Sequence, residues 1–410
     1  MKVRTCRFPT FQRDEHTLIS ESEDHKVIVD RRWVERNLGF DPVTTPAPVS
    51  TFAFPTAARS SRPEDLQREI IDFDSEAPQG KEFLAFTTAT GLSRYVDVQW
   101  PKGLAPRTGG APAKNANRPL PKADVLVVTW TVDEGHALSR VLTPGKDSRN
   151  DYQPYTRGFA SISKKMRRGC PALEAGRLGS YWTTDIGTKR TVIFKSDSHL
   201  SQDGPKVPNI DVWKQIIGEV QPKLVITTGT AGGIGKQFEV GDVIVSSIVR
   251  FDCIAKFKSE PFHAGHYSSA AANSRYFAAA KTLFKANAPQ LPKDNTRPPK
   301  IVRVAPGGLD SSVVTTDFFG FDTSDNHFHL QGLGDVSEMG DAVLGLVANE
   351  MGKAAPRWVA VRNVSDPQIK AEGTIRQQAA LAAQIYKGFG RWSTVCSAIV
   401  CWALIAAEGP

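Results

Sequence analysis

Cysteine is scarce in this chain and never paired. Five occur in 410 residues, at Cys6, Cys170, Cys253, Cys396 and Cys401, and no two are spaced as a CxxC. An odd, unclustered set argues against a disulfide framework or a thiolate zinc site and suits a reducing, cytoplasmic setting. His263 and His266 stand three apart in "PFHAGHY", but no third ligand falls at a matching spacing. Neither a metal nor an organic cofactor is therefore expected. The opening "MKVRTCRFPTFQRDEH" has no apolar core of signal-peptide length. Long apolar runs are lacking too: the uncharged stretch 392–407 has sixteen residues, whereas a bilayer span needs about 20. It reads as a buried C-terminal helix, and no membrane contact is expected. The formal charge of +8 favours an anionic partner. That charge is diffuse, with no arginine-rich helix and no interleaved lysine/aromatic array, so nucleic-acid binding is not expected.

What is present is an ordinary globular composition, 40% hydrophobic and 9% aromatic, long enough for two or three domains. Residues 101–122, "PKGLAPRTGGAPAKNANRPLPK", hold five prolines, three glycines, five basic residues and no acid, the composition of an extended linker. Residues 1–100 before it form an accessory region of unassigned role. In it "VIVDRRWVERNLGF" reads as a strand running into a helix and "PEDLQREIIDFDSE" as another helix. After the linker, strand-like runs alternate with amphipathic ones. "ADVLVVTWT" precedes the helical "DEGHALSRVL"; "KRTVIFKS" precedes "NIDVWKQIIGEV", with Ile210, Val212, Trp213, Ile216, Ile217 and Val220 on one face. "PKLVITTG", "GDVIVSSIVRFDC", "VRVAPGGLDSSVVTTD", the helix "DAVLGLVANEMG", the strand "RWVAVRNVSD" and long alanine-rich helices complete residues 123–410. Such alternation implies an α/β fold on a mixed, mostly parallel sheet, with ligands bound at strand ends. No internal repeat is visible.

The glycine-rich run 225–235, "VITTGTAGGIG", fits neither familiar phosphate loop. A Walker A loop would place glycine where Thr230 stands and Ser or Thr where Gln237 follows Lys236. A dinucleotide GxGxxG would need glycine at Phe238. What survives is a strand ending in a loop, where Gly229, Gly232 and Gly233 allow close backbone approach and Thr227, Thr228 and Thr230 offer hydroxyls. A plain tight turn between strands would look the same.

The motifs taken in order resemble the purine nucleoside and uridine phosphorylase superfamily, nearest to the methylthioadenosine/S-adenosylhomocysteine nucleosidases. "VVTWTVDEGHAL" is similar to the family's first strand and acidic loop, and "ITTGTAGG…VGDVIVS" to its central glycine-rich segment. "TTDFF", "SEMGDAV" and "VRNVSD" resemble three later motifs, and the likeness covers roughly residues 123–405. It implies a three-layer α/β/α domain that binds a small-molecule purine nucleoside or nucleotide, and a homo-oligomer. Asp366 would then be the general acid toward the purine, raised in pKa by burial, with Arg362 and Ser365 orienting it. Glu134 would help activate water. Thr230, Ala231 and Gly232 would line the substrate, Phe319 would stack on the base and Met339 would underlie the ribose.

Each assignment has a plainer rival: a turn or helix-cap aspartate, a helix-start glutamate, a core phenylalanine. The chain also departs from the family. The second acid of the Glu-Met-Glu segment, which clamps the ribose hydroxyls, falls at Gly340, leaving Asp341 or Glu338 for that task. Thr227 stands where hexameric phosphorylases carry a phosphate-binding arginine, which favours hydrolysis over phosphorolysis. Lys195, His199 and Arg250 near strand ends would suit a phosphorylated nucleoside. "TPGKDSRNDYQPYT" and "FKSDSHLSQDGPK" are similar to a bacterial anti-phage branch that removes adenine from ATP. A phosphorylase and an inactive nucleotide sensor remain as alternatives.

Overall fold

The computed structural model describes residues 12–14, 17–22, 25–30 and 98–408, apart from 113, 201–203, 205, 288–290 and 305–311. The helices read after residue 30 and at 63–76 lie outside the described residues. The chain divides into two compact units. The smaller holds an antiparallel meander of β1 (Gln12–Asp14), β2 (Thr17–Ser22) and β3 (His25–Asp30), which takes in the strand read from "VIVD".

The larger unit is built on a mixed sheet. Its centre is parallel and apolar: β5 (Val125–Thr129) lies between β8 (Lys189–Ser196) and β9 (Leu224–Gly233), and β9 pairs on its far side with β16 (Arg357–Asp366). All five residues of β5 are buried, as are the nine residues of β16 after Arg357. Strands covered on both faces read as continuous apolar runs, which is why these segments stand out in the sequence. Antiparallel additions flank this centre: β7 (Gly179–Ile186) on β8, then β4 (Arg107–Thr108) and β6 (Gln153–Tyr155) on β7.

Beyond β9 the sheet bends. "GDVIVSSIVRFDC" is not one strand but two: β10 (Val243–Ser246) pairs with β16 and β13 (Ile301–Arg303), while β11 (Ile248–Asp252) pairs with β12 (His266–Ser268) and β14 (Val313–Thr316). The Ser246 hydroxyl accepts from Ile248 N at 3.0 Å and donates to Ile248 O at 2.7 Å, closing the corner between them. β15 (Val336–Glu338) then runs parallel to β14 and antiparallel to the last residues of β9.

Helices cover the sheet in two groups. α1 (Val132–Leu142) and α3 (Phe277–Asn287) pack on the long α5 (Ile375–Ala407), which lies along β16 and β9. α2 (Pro208–Val220) packs on α4 (Asp341–Met351). The result is the three-layer α/β/α arrangement. α2 turns Val212, Trp213, Ile216, Ile217 and Val220 inward, the face marked by its sequence period, with Ile210 at its margin.

Gly388–Ala407 of α5 is long and apolar enough to cross a membrane by length and composition, but 89% of it is buried within the fold. Ala398, Ile399, Val400, Cys401, Trp402 and Ala403 have no exposed surface. Residues 101–122, read as a linker, contribute to that burial. Leu104 O accepts from Trp402 Nε1 at 2.6 Å, Trp100 packs 4.7 Å from the Trp402 ring, Leu120 is buried and β4 extends the sheet. Proline and glycine keep this stretch irregular, with Pro106 and Leu120 buried and most of the remainder exposed.

Candidate active site

Four chain segments converge where β9 ends. The glycine-rich run, read as a loop after a strand, continues as strand to Gly233 because β16 pairs with it as far as Gly232, and β15 joins it there. Gly232 lies between Asp366 and Ser337. A Cβ on it would stand 2.9 Å from Asp366 Oδ2 and 3.2 Å from Ser337 Oγ. A Cβ on Gly229 would stand 2.5 Å from Glu134 Oε1. These glycines are there to let carboxylates approach the backbone. These segments enclose a cleft that opens to solvent. It is lined by Thr230, Ala231 and Gly232 of β9, Ser337 and Glu338 of β15, and Arg362, Ser365 and Asp366 of β16. Trp130, Thr131 and Glu134 close one side, and Phe319, Met339, Gly340, His199 and Tyr386 line the rest.

Asp366 ends β16 just past an irregularity in the β9 ladder and is 5% exposed. Its Oδ1 accepts from Ser365 Oγ at 2.7 Å. Burial pushes its pKa up to about 6 against the weaker pull of that one hydroxyl. A carboxyl that holds its proton up to about pH 6 beside a cleft is nearer than an ordinary aspartate to the range in which a general acid works.

Glu134 is the opposite case. Thr131 caps α1 and Glu134, three residues on, returns the bond, so a capping box fixes the side chain. Oε2 accepts from Thr131 N at 2.9 Å, Trp130 N at 3.2 Å and Thr129 Oγ1 at 3.1 Å. Oε1 accepts from Thr230 N at 2.7 Å and Thr230 Oγ1 at 2.6 Å. Burial alone would raise its pKa, but the Arg362 charge and the bonds from Thr230 and Thr131 outweigh it and hold the carboxyl below its ordinary value. Glu134 is a locked carboxylate.

Between these two lies a buried ion cluster. Arg362 Nε donates to Asp341 Oδ2 at 2.8 Å, its Nη2 contacts Asp341 Oδ1 and stands 3.1 Å from Glu338 Oε2, and its Nη1 donates to Thr230 O at 3.2 Å. The guanidinium also lies over the Trp130 ring, 4.8 Å from its centre. Burial, reinforced by the Asp341 charge, raises the Glu338 pKa to about 7 although Arg362 opposes the rise.

Two assignments change on this evidence. Arg362, expected to orient Asp366, turns instead to Asp341 and Glu338, which lie within reach of its guanidinium and share its buried position. Among the described residues, Ser365 is the hydrogen-bond partner of the Asp366 carboxyl. Asp341, expected at the sugar, is 1% exposed behind the cleft with both oxygens on Arg362; Glu338 is the acid that lines it. Phe319 reaches the cleft while Phe318 is core, and Asp317 of the same motif accepts from the backbone of Ile254, Ala255 and Phe257, pinning a neighbouring loop. Of the three basic residues read as suiting a phosphate, only His199 lines the cleft; Lys195 Nζ is 2.5 Å from Asp197, and Arg250 lies on β11.

Sequence reading missed Trp130 and Tyr386. Tyr386 reaches Thr131 Oγ1 from α5 at 3.3 Å, and no local pattern announces a contact across 255 positions. Trp130 stands within the quoted "VVTWTVDEGHAL", and its neighbour Thr131 begins a Thr-x-x-Glu capping signature that would have marked the strand-to-helix corner.

The phosphorylase superfamily model matches residues 159–391, taking in the β9, β15 and β16 contributions and beginning after Glu134. No curated protein sequence matches the chain. Among solved structures, the chain is similar to the 5'-methylthioadenosine/S-adenosylhomocysteine nucleosidase of Neisseria meningitidis, crystallised with methylthio-immucillin-A. That match has 16% identity over 70% of this chain and 100% of that one, with a TM-score of 0.43. Futalosine hydrolase of Helicobacter pylori matches at 13% identity over 68% of this chain and 96% of that one, with a TM-score of 0.42. S-adenosylhomocysteine nucleosidase of Streptococcus pyogenes, with 5-methylthiotubericidin, matches at 16% over 71% and 99%, with a TM-score of 0.42.

Proposed function

Since this chain belongs to the phosphorylase superfamily, whose model spans more than half of its residues, we propose that it hydrolyses the bond between base and ribose of a purine nucleoside. The observation that carries this reading is Asp366: a buried carboxyl, raised in pKa, with a hydroxyl partner, its Oδ2 2.9 Å from the place a Cβ on Gly232 would take.

In this reaction the purine lies between Phe319 and Asp366. As the C1′–N9 bond breaks, its electron pair moves onto the base and Asp366 gives its proton to N7. Positive charge spreads over C1′ and the ring oxygen, and the ionised Glu134 stabilises it electrostatically. The five donors on Glu134 leave it no room for a sixth, so it acts on water through Thr230. The Thr230 hydroxyl gives its own hydrogen to Glu134 Oε1 and turns a lone pair to the cleft, where it accepts from the attacking water. The water oxygen bonds to C1′ and its proton passes along that path. Free phosphate would find one guanidinium in the cleft lining, Arg362, already held by two carboxylates, and would face Glu134 and Glu338. Water is the better nucleophile here.

The finer reading, an ATP-cleaving anti-phage effector, draws on His199 alone among the basic residues proposed for it. One assay separates the possibilities: adenosine, inosine, AMP and ATP, each with and without phosphate, with free base resolved by chromatography. Base without phosphate supports hydrolysis and base from ATP alone supports the nucleotide reading. Base only with phosphate makes the chain a phosphorylase, and tight binding without base makes it a sensor.

A further inference from the structure

The cleft has an unusual wall where the sugar would lie. With the base held between Asp366 and Phe319, the sugar falls toward Glu338, Met339, Gly340 and Trp130. A Cβ on Gly340 would stand 3.1 Å from Trp130 Cζ2 and 3.3 Å from Cε2. The indole therefore fills the space that a side chain at 340 would enter, and Gly340 is small because Trp130 is large. Trp130 is 4% exposed, and its Nε1 is closed off from solvent without a partner, so the ring offers the cleft carbon and no donor.

The neighbouring acceptors are occupied. Glu338 takes three hydrogen bonds, from Gly340 N at 2.6 Å, Asp341 N at 2.9 Å and the Thr315 hydroxyl, and its Oε2 is ion-paired with Arg362 Nη2 at 3.1 Å. Both Asp341 oxygens bond Arg362, and Glu134 holds five donors. Thr315 Oγ1 donates to Glu338 and accepts from Ala342 N at 2.8 Å. A sugar hydroxyl pressed against the indole leaves water and meets carbon, whereas a C–H there packs on the ring edge.

We infer that Trp130, with Gly340, selects against a 2′-hydroxyl, making 2′-deoxyribonucleosides of purines the preferred substrates. The inference rests on the N-glycosidase reading for its orientation of the substrate. The chemistry agrees with the geometry. A 2′-hydroxyl withdraws electrons from the cation forming at C1′, so an enzyme preferring ribose must grip that hydroxyl, and the face that Trp130 presents here offers it carbon.

The test compares kcat/KM for 2′-deoxyadenosine against adenosine, and for dATP against ATP. The deoxy member is expected to lead by at least about tenfold, the cost of one buried hydroxyl left unpartnered. Trp130→Ser, which opens the wall and supplies a hydroxyl, is expected to shrink that ratio at least about fivefold. Calorimetric titration of the Asp366→Asn protein with the same two nucleosides reads sugar preference without turnover, and so without the intrinsic lability of deoxyribose. Tighter binding of the deoxy nucleoside with no base released by wild type would keep the inference and overturn the hydrolase reading. Base release with adenosine bound as tightly or more tightly would do the reverse, and a ratio untouched in a folded Trp130→Ser protein would also overturn the inference.

Discussion

Asp366 and Glu134 are buried carboxyls in one cleft, and their surroundings drive them apart. Asp366 has a single hydroxyl partner and a pKa raised to about 6. Glu134 accepts five hydrogen bonds, feels the Arg362 charge and is held below its ordinary pKa. Burial is severe for both, so burial does not decide protonation. What decides it is whether donors and a cation accompany the acid into the interior. In the proposed reaction one carboxyl serves as proton source and the other as a fixed negative charge, the division of labour that glycosidic cleavage requires.

The largest effect should come from removing the proton source. Asp366→Asn is expected to lower kcat by at least about 10²-fold, measured as base release. Its stability should move the other way. Because the folded chain holds the Asp366 proton more tightly than the unfolded chain, this group's stabilisation is complete below its ordinary pKa of 3.8 and is lost as pH rises through about 6. Above that, the ionised carboxylate costs the wild type up to about 3 kcal/mol, which the amide does not incur. Urea unfolding should therefore show Asp366→Asn more stable than wild type at pH 8 and not at pH 4. Turnover near the wild-type level would remove Asp366 from the mechanism.

Glu134→Gln should break the comparison from its other side. The amide turns an N–H toward a set of donors and leaves Arg362 with less negative charge near it, a loss of about 1–3 kcal/mol for buried donors left unsatisfied. Two amide-for-acid substitutions in one cleft are thus expected to change stability with opposite signs at pH 8. If Glu134→Gln unfolds at the same urea concentration as wild type, the carboxylate is not locked as described.

Phe319→Ala tests the apolar face opposite Asp366. Losing one stacked ring is expected to raise KM roughly tenfold, within the about 1–3 kcal/mol that aromatic–base stacking contributes, and to alter kcat less. An unchanged KM would place the base elsewhere in the cleft.

Much of this was legible in the sequence, and the parts that were not share a cause. β8 and β16 run over the residues read as strands, because strands buried on both faces write themselves as unbroken apolar runs. Asp366, Ser365, Glu338, Thr230 and Phe319 reach the cleft because each belongs to a motif tied to a strand end. The glycine-rich run misled because glycine disfavours strands locally. Its extended form is imposed by β16 and β15, which lie over a hundred positions away. Arg362 misled for a related reason: its partners, Asp341 and Glu338, are fixed by charge pairing across the sheet rather than by the spacing to Asp366. The exchange of size between Gly340 and Trp130 is likewise written in two places that only the fold brings together.

The smallest effect would sharpen the comparison most. Ser365 donates the one hydrogen bond that Asp366 receives, and a donor to a carboxylate favours its ionised form, so this hydroxyl restrains the upward shift that burial causes. Ser365→Ala should release that restraint and move the Asp366 pKa higher still. A hydrogen bond to a charged group contributes about 1 kcal/mol more than one to a neutral group, so the shift should be somewhat under one pH unit. The protonated acid is the active form, and activity declines as pH rises through its pKa, so the alkaline limb of the kcat/KM profile should slide to higher pH in Ser365→Ala. A limb that moved to lower pH would mean that the Ser365 hydroxyl stabilises the protonated carboxyl, and that Asp366 keeps its proton by hydrogen bonding rather than by isolation from charge.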